Sequence, residues 1–220
     1  MDAVEVIIML TQLEHRLTAH HPRRINALLP KAAVLIPVTN HPEPQVIFTR
    51  RSSNMSTHRG EVAFPGGKKD DSDKNLIETA LRESQEEIGL PQNCVRVLGE
   101  TGTIISRYGL EVTAIVGIVD KNATLTANTD ELDRIFHVPV SFFLEKNNLQ
   151  FDRFKIKDQH YRMPCFLFEE YKIWGLTAII LAEFLNITMD ANIPLPAPRF
   201  SQRFAKQKIL QVMNDSLKFE

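Results

Sequence analysis

Three carboxylates, Glu83, Glu86 and Glu87, recur at spacings of three and four in Arg82-Glu83-Ser84-Gln85-Glu86-Glu87-Ile88-Gly89-Leu90. On a helix that spacing puts them on one stripe, where like charges repel by about 0.2–0.5 kcal/mol per pair. A helix does not gain stability from such a stripe alone. The arrangement makes sense beneath a divalent cation, because hard cations such as Mg²⁺ take carboxylate and carbonyl oxygens. A Phe64-Pro65-Gly66-Gly67 turn precedes the helix. Glycine permits close backbone approach at such a turn.

The flanking residues define the helix that positions these groups. Asp71, Ser72 and Asp73 offer N-cap oxygens and negative charge to its start. Ile77, Ala80, Leu81, Ser84 and Ile88 recur at helical spacing and form an expected buried stripe. That stripe lies roughly 130° around the axis from the glutamates, so one face packs while the other reaches a cleft. Gly89 suits a left-handed C′ position, Leu90 its hydrophobic contact, and Pro91 stops the helix, which is expected over 74–88.

Elsewhere, residues 3–18 read as an amphipathic helix with Val4, Ile7, Ile8, Leu10 and Leu13 inward. Branched residues predict strands at 32–37 and 45–50, then near 95–99, 102–105, 112–119, 149–157 and 161–168. Residues 122–133 read as a polar loop, 139–144 as a short helix and 176–185 as a strongly apolar one. Strands interleaved with helices argue for an α/β (α+β) sandwich.

Arg-Glu-x-x-Glu-Glu-x-Gly-Leu after a glycine turn resembles the Nudix box, the signature of hydrolases that cleave a diphosphate linked to another moiety. Upstream, Ile47-Phe48-Thr49-Arg50-Arg51-Ser52, Gly60 and Phe64-Pro65-Gly66-Gly67 are similar to the additional motif of the coenzyme A pyrophosphatase subgroup. Thr129-Asp130-Glu131-Leu132 with Val138-Pro139, and Ile173-Trp174-Gly175-Leu176-Thr177-Ala178, also resemble that subgroup. The likeness spans residues 30–186. Asp73 stands where the general box has glutamate, a variation common in the subgroup. Ser56 stands where the subgroup's upstream motif usually carries arginine, which leaves other substrates open and gives Arg59 or Lys68 a possible substitute role.

The resemblance implies a Nudix α/β/α sandwich with a mixed sheet and helical additions at both ends. It implies Mg²⁺ or Mn²⁺ on Glu83 and Glu87, with Glu86 shared or bridging through water and Gly67 lending its carbonyl. Arg82 would orient the glutamates. The general base could be Glu83 in the box or Glu131 in the loop, with Asp130 and Asp133 weaker candidates. Arg50, Arg51, Arg59 and Gly66 are the candidates for substrate contact, because arginine forks match phosphate oxygens. His58 lacks a partner at ligand spacing, His20-His21 reads as surface, and Trp174 reads as a core anchor.

At 220 residues and 43% hydrophobic content, the chain can bury one good core. The expected plan is an N-terminal helical extension (1–29), the hydrolase domain (30–186), and a Pro-rich linker with a C-terminal helix (187–220). A net charge of −1 argues against nucleic acid or a membrane as partner. Cys94 and Cys165 stand apart and read as ordinary thiols of a reducing compartment. No leader or spanning segment is legible, so the expected location is cytoplasmic. Phe200, Phe204, Ile209, Val212, Met213 and Leu217 have rough helical spacing. Such a helix could pack on its own domain or on a second subunit of a homodimer.

The resulting expectation is hydrolysis of the diphosphate of coenzyme A or its thioesters to 3′,5′-ADP and (acyl-)4′-phosphopantetheine. The same reaction on another dinucleotide such as NADH, or a non-catalytic ligand sensor on the same fold, are the alternatives.

Overall fold

The computed structural model describes residues 3–25, 27–52, 59–156 and 159–196. Helix α1 (Ala3–Ala19) leads into strands β1 (Lys31–Thr39) and β2 (Gln45–Arg51). The short β3 (Val62–Ala63) and β4 (Gly66–Lys68) then introduce α2 (Leu76–Ile88). Strands β5 (Val95–Ile105), β6 (Glu111–Val119) and β7 (Leu132–Pro139) follow, then helix α3 (Val140–Leu144). The chain continues through β8 (Leu149–Ile156), β9 (Gln159–Phe168), β10 (Tyr171–Ile173) and helix α4 (Gly175–Met189).

Seven strands form one mixed sheet in the order β3-β2-β1-β6-β5, with β4 also pairing β1 and β7 also pairing β2. Among the described strands only β1 and β6 pair in parallel, Ala33 opposite Thr113. Strand alternation assigns the faces. Ala33, Leu35 and Ile47 pack with Ala80, Ile88 and Leu90 of the α2 side. Ile36, Val38 and Phe48 join Leu10, Leu13 and Leu17 of α1 and residues of α4 on the other. That second layer also takes in Phe166, Tyr171 and Ile173 of the smaller sheet β10-β9-β8. The result is the α/β/α sandwich expected, with α2 on the face that matters for function.

Several expectations need correction. Ile7 and Ile8 of α1 are 64% and 50% exposed. The buried stripe is centred on Leu10, Leu13 and Leu17, which turns Ile8 to roughly the opposite side. Ile77 is 40% exposed, while Thr79, Ala80, Ser84, Glu87 and Ile88 are buried. The inner face of α2 is therefore rotated by about 50° from the expected stripe, toward the glutamates. Its N-cap is Asn75, whose side chain accepts from the N–H groups of Ile77 (2.9 Å) and Glu78 (3.0 Å). Asp73 is otherwise engaged.

The C-terminal end of α2 is as expected. Gly89 sits at φ 65° and donates to the Gln85 carbonyl at 3.0 Å, and Leu90 is fully buried. The two strands expected at 95–99 and 102–105 are one strand, β5, whose register against β6 shifts beside Gly99 and Gly102. Strand β7, whose first residues were expected to end a polar loop, and strand β10 were not anticipated. The expected C-terminal helix, and most of the linker's end, lie outside the described residues.

Candidate active site

Strand β4 and helix α2 create the site through two consecutive glycines. At Gly66 (φ 153°) a Cβ would stand 2.6 Å from the Val34 Cα and 2.9 Å from its Cγ1, so only glycine fits between β1 and the helix. Its N–H donates to Glu87 Oε2 at 3.1 Å. At Gly67 a Cβ would overlap the carboxylate of Glu83, coming within 2.6 Å of Oε1. Glutamates one helical turn apart thus lie against glycines one residue apart.

Arg82 organises the other acids. Its Nε and Nη2 donate to Asp73 Oδ1 and Oδ2, each at 3.0 Å, and Nη2 also reaches the Lys68 carbonyl at 3.1 Å. Its Nη1 stands 3.0 Å from both Glu83 Oε1 and Glu86 Oε2. Asp73 Oδ2 also accepts from the Thr79 hydroxyl and the Asp70 N–H, both at 2.9 Å. The guanidinium and these donors hold the Asp73 carboxyl well below the usual carboxylate range. By residue type Asp73 offers a cap as well as a box carboxylate, and the structure gives it to Arg82. The orienting role expected of Arg82 toward the glutamates is joined by its pair with Asp73, which no local spacing announces.

Burial dominates the remaining two. Glu87 is 6% exposed, and loss of hydration pushes its carboxyl up to about 7. The Gly66 N–H and the Arg51 guanidinium oppose that rise, whereas Glu131 and Glu83 add to it. Burial raises Glu83 too, with Arg82 opposing and Glu86 and Glu131 reinforcing. Glu86, at the rim, has a side chain 58% exposed.

The loop after β6 supplies Glu131. The N–H groups of Thr126 and Asn128 bond the carbonyls of Ile88 (2.9 Å) and Glu87 (2.8 Å), tying the loop to the end of α2. The Ser52 N–H then bonds the Glu131 carbonyl at 2.8 Å. These tethers bring the Glu131 carboxylate close enough to influence Glu83 and Glu87.

The arginines divide. Strand alternation along β2 separates their directions, Arg51 sharing the face of Ile47 and Arg50 that of Phe48. Arg51 Nη1 comes 4.0 Å from Glu87 Oε1, and its buried Nε has no hydrogen-bond partner among the described residues. Arg50 instead donates to Asp133 Oδ1 at 2.7 Å and lies 5.5 Å over the Tyr171 ring. Arg59 is exposed beside Gly60, whose N–H bonds the Arg51 carbonyl at 3.0 Å. Lys68 and Asp130 are exposed, and Ser56 and His58 lie outside the described residues. Glu83, Glu87, Gly66, Gly67 and Arg51 therefore meet, Glu86 and Glu131 flank them, and Arg50 is committed elsewhere.

Among the described residues no three His, Cys, Asp or Glu side chains are already gathered as a metal cage. Arg82 and the Gly66 N–H draw the glutamates to separate anchors. The donor set nevertheless suits a hard divalent ion: anionic oxygens, one cradled on a bare glycine and one largely stripped of water with its nearest cation, Arg51, 4.0 Å away. A pH test follows. Glu87 has a folded pKa above its ordinary 4.5, so its contribution is full below pH 4.5 and is lost as pH rises through about 7. Metal-free protein should lose up to about 3 kcal/mol over that window, measured by thermal unfolding after chelation, and Mg²⁺ should restore it. Asp73 does not confound this, because its depressed pKa affects stability only at lower pH. A flat profile between pH 5 and 8 would remove Glu87 as the buried charge.

The family model described as NUDIX domain matches residues 29–159. The chain belongs to the Nudix family. A Yersinia enterocolitica relative named uncharacterized Nudix hydrolase NudL is 43% identical over 164 residues, covering 71% of this chain and 82% of that one. A Photorhabdus laumondii relative of the same name is 39% identical over 160 residues, covering 73% and 86%. The solved structure of a MutT/nudix family protein from Enterococcus faecalis is similar with a TM-score of 0.45 at 16% identity, covering 86% of this chain and 75% of that one. This chain is a Nudix hydrolase. Nudix hydrolases generally need divalent ions such as Mg²⁺ or Mn²⁺. No described helix is long and apolar enough to cross a membrane.

Proposed function

We propose that this Nudix hydrolase cleaves the diphosphate of coenzyme A or acyl-coenzyme A, giving 3′,5′-ADP and (acyl-)4′-phosphopantetheine. The observation that carries a diphosphate site is the docking of Glu83 on Gly67 and of Glu87 on Gly66 beside the buried, partnerless Nε of Arg51. An anionic oxygen would satisfy that donor. The coenzyme A assignment rests on the likeness of 47–52, Gly60 and 64–67 to the subgroup motif.

Glu83, Glu87 and the Gly67 carbonyl would hold Mg²⁺ or Mn²⁺, with Glu86 further out. Bound there, the ion supplies positive charge against the diphosphate oxygens and favours ionisation of water. Arg82 keeps Glu83 and Glu86 oriented through charge-assisted bonds. Arg51 donates to a phosphate oxygen. Glu131, held in place by its backbone rather than by a described side-chain bond, accepts the proton of the attacking water. Arg59 faces the outer part of the substrate.

A second reading, the same reaction on NADH or a similar dinucleotide, is kept open by Ser56 in the upstream motif. A non-catalytic sensor is disfavoured by the presence of Glu83, Glu86 and Glu87 together. Incubation with coenzyme A, 3′-dephospho-coenzyme A or NADH, with Mg²⁺ in ¹⁸O-water, separates these readings by mass spectrometry of the products. Coenzyme A should turn over fastest, with the label showing which phosphorus is attacked. Equal or faster cleavage of NADH retires the coenzyme A assignment.

A further inference from the structure

The turn joining β5 to β6 ends on β6, which two strands, β1 and β2, separate from β3 in the sheet order. Even so, Arg107 Nη2 from that turn stands 3.8 Å from Glu61 Oε1, immediately before β3. Glu61 is no remote residue, since its carbonyl accepts the Arg51 N–H at 3.0 Å. The turn therefore folds across the end of the sheet and comes up beside the residue whose side chain approaches Glu87.

Its backbone is closely tied. The Ser106 hydroxyl accepts from the N–H groups of Tyr108 (3.3 Å) and Leu110 (3.1 Å), and the Gly109 N–H bonds the Ser106 carbonyl at 3.0 Å. Gly109, at φ 77°, supplies the left-handed corner. On this support the Arg107 guanidinium lies 4.7 Å over the Tyr108 ring and also donates to the Tyr108 hydroxyl. The Arg107 side chain is 57% exposed and Tyr108 is 52% exposed.

We infer that Arg107 and Tyr108 form a stacking platform for the nucleobase of the substrate. A guanidinium laid on a phenol and held at its edge by Glu61 is pre-oriented, and a purine can stack on such a plane. With phosphates at Arg51 and the glutamates, as proposed above, a base reaching past Glu61, the backbone partner of Arg51, would meet this pair. Neither residue belongs to a motif that carried the family resemblance. The inference rests on the proposed reading only in taking a nucleoside diphosphate derivative as ligand.

The test uses a matched pair of non-hydrolysable ligands, α,β-methylene-ADP and methylenediphosphonate, which differ by the adenosine. Dissociation constants are measured calorimetrically with Mg²⁺ for the full chain, Arg107→Lys and Tyr108→Ala. Base stacking of ordinary strength predicts that each variant weakens α,β-methylene-ADP by about tenfold or more and leaves methylenediphosphonate unchanged. Arg107→Lys is decisive, because it keeps the charge and loses the plane. Equal weakening of both ligands would show that the turn reads phosphate charge, and no weakening would show that it reads nothing. Either result overturns the platform. If Tyr108→Ala unfolds, Arg107→Lys still answers. Failure on coenzyme A turnover leaves this comparison intact, and failure here leaves coenzyme A turnover intact.

Discussion

Gly67→Ala is expected to lower kcat by two orders of magnitude or more while the protein stays folded. The added Cβ would collide with the Glu83 carboxylate, with Oε1 only 2.6 Å away. The strand cannot retreat, because Gly67 is in register with Ala33, and Gly66 beside it is wedged on Val34 and bonded to Glu87. Gly67 is not among the glycines at positive φ, so alanine suits its backbone and the injury is confined to Glu83. Glu83→Gln should therefore produce a loss of the same order, in the 10²–10⁴ range expected when a reacting-site carboxylate is removed. The double variant should be little worse than either alone, since both act on one group. Steady-state kinetics with Mg²⁺, together with unfolding midpoints, would show this. Additive losses would mean that Gly67 serves the site by some route other than Glu83.

What could be read beforehand follows the range of the interactions involved. The end of α2 needed only Gly89 and Leu90, because a left-handed cap and its hydrophobic contact are local. Its beginning was misplaced because Asp73, a good cap residue by type, is held by Arg82, nine residues on. The stripe of glutamates was visible, but the rotation that buries Glu87 depends on how α2 meets β1 and β4. Likewise Arg50 and Arg51 look equivalent in the sequence. Alternation along β2 sends one to Asp133 and the other toward Glu87, and which is which depends on the face that α2 covers. Strand β7 itself was partly hidden because Asp133, Arg134 and His137 face solvent on it. Glu131 was identified as a loop acid, yet its approach to Glu83 relies on bonds from Thr126 and Asn128 to the end of α2. No local pattern announces those.

Arg82→Met should cost about 3 kcal/mol of stability at neutral pH, the lower end for breaking a buried ion pair. The low end applies because the Arg82 side chain is 25% exposed, whereas that of Asp73 is only 4% exposed. The substitution strands Asp73 with the Thr79 hydroxyl and Asp70 N–H as its remaining donors. The sign of the pH dependence identifies the cause. In the native protein Asp73 has a depressed pKa, so it contributes stability above its ordinary 3.8 and loses it as pH falls further. The deficit of Arg82→Met should accordingly be full at pH 7 and shrink as pH falls below about 4, where Asp73 protonates in the variant. Asp73→Asn combined with Arg82→Met should recover part of the loss, since a neutral pair leaves no stranded charge. Turnover should not recover with it, because Glu83 and Glu86 would still lack the guanidinium that orients them. Denaturant unfolding across pH, run beside kinetics on the same samples, separates the two roles of Arg82. Recovery of activity along with stability would reduce Arg82 to a structural pin for the loop before α2.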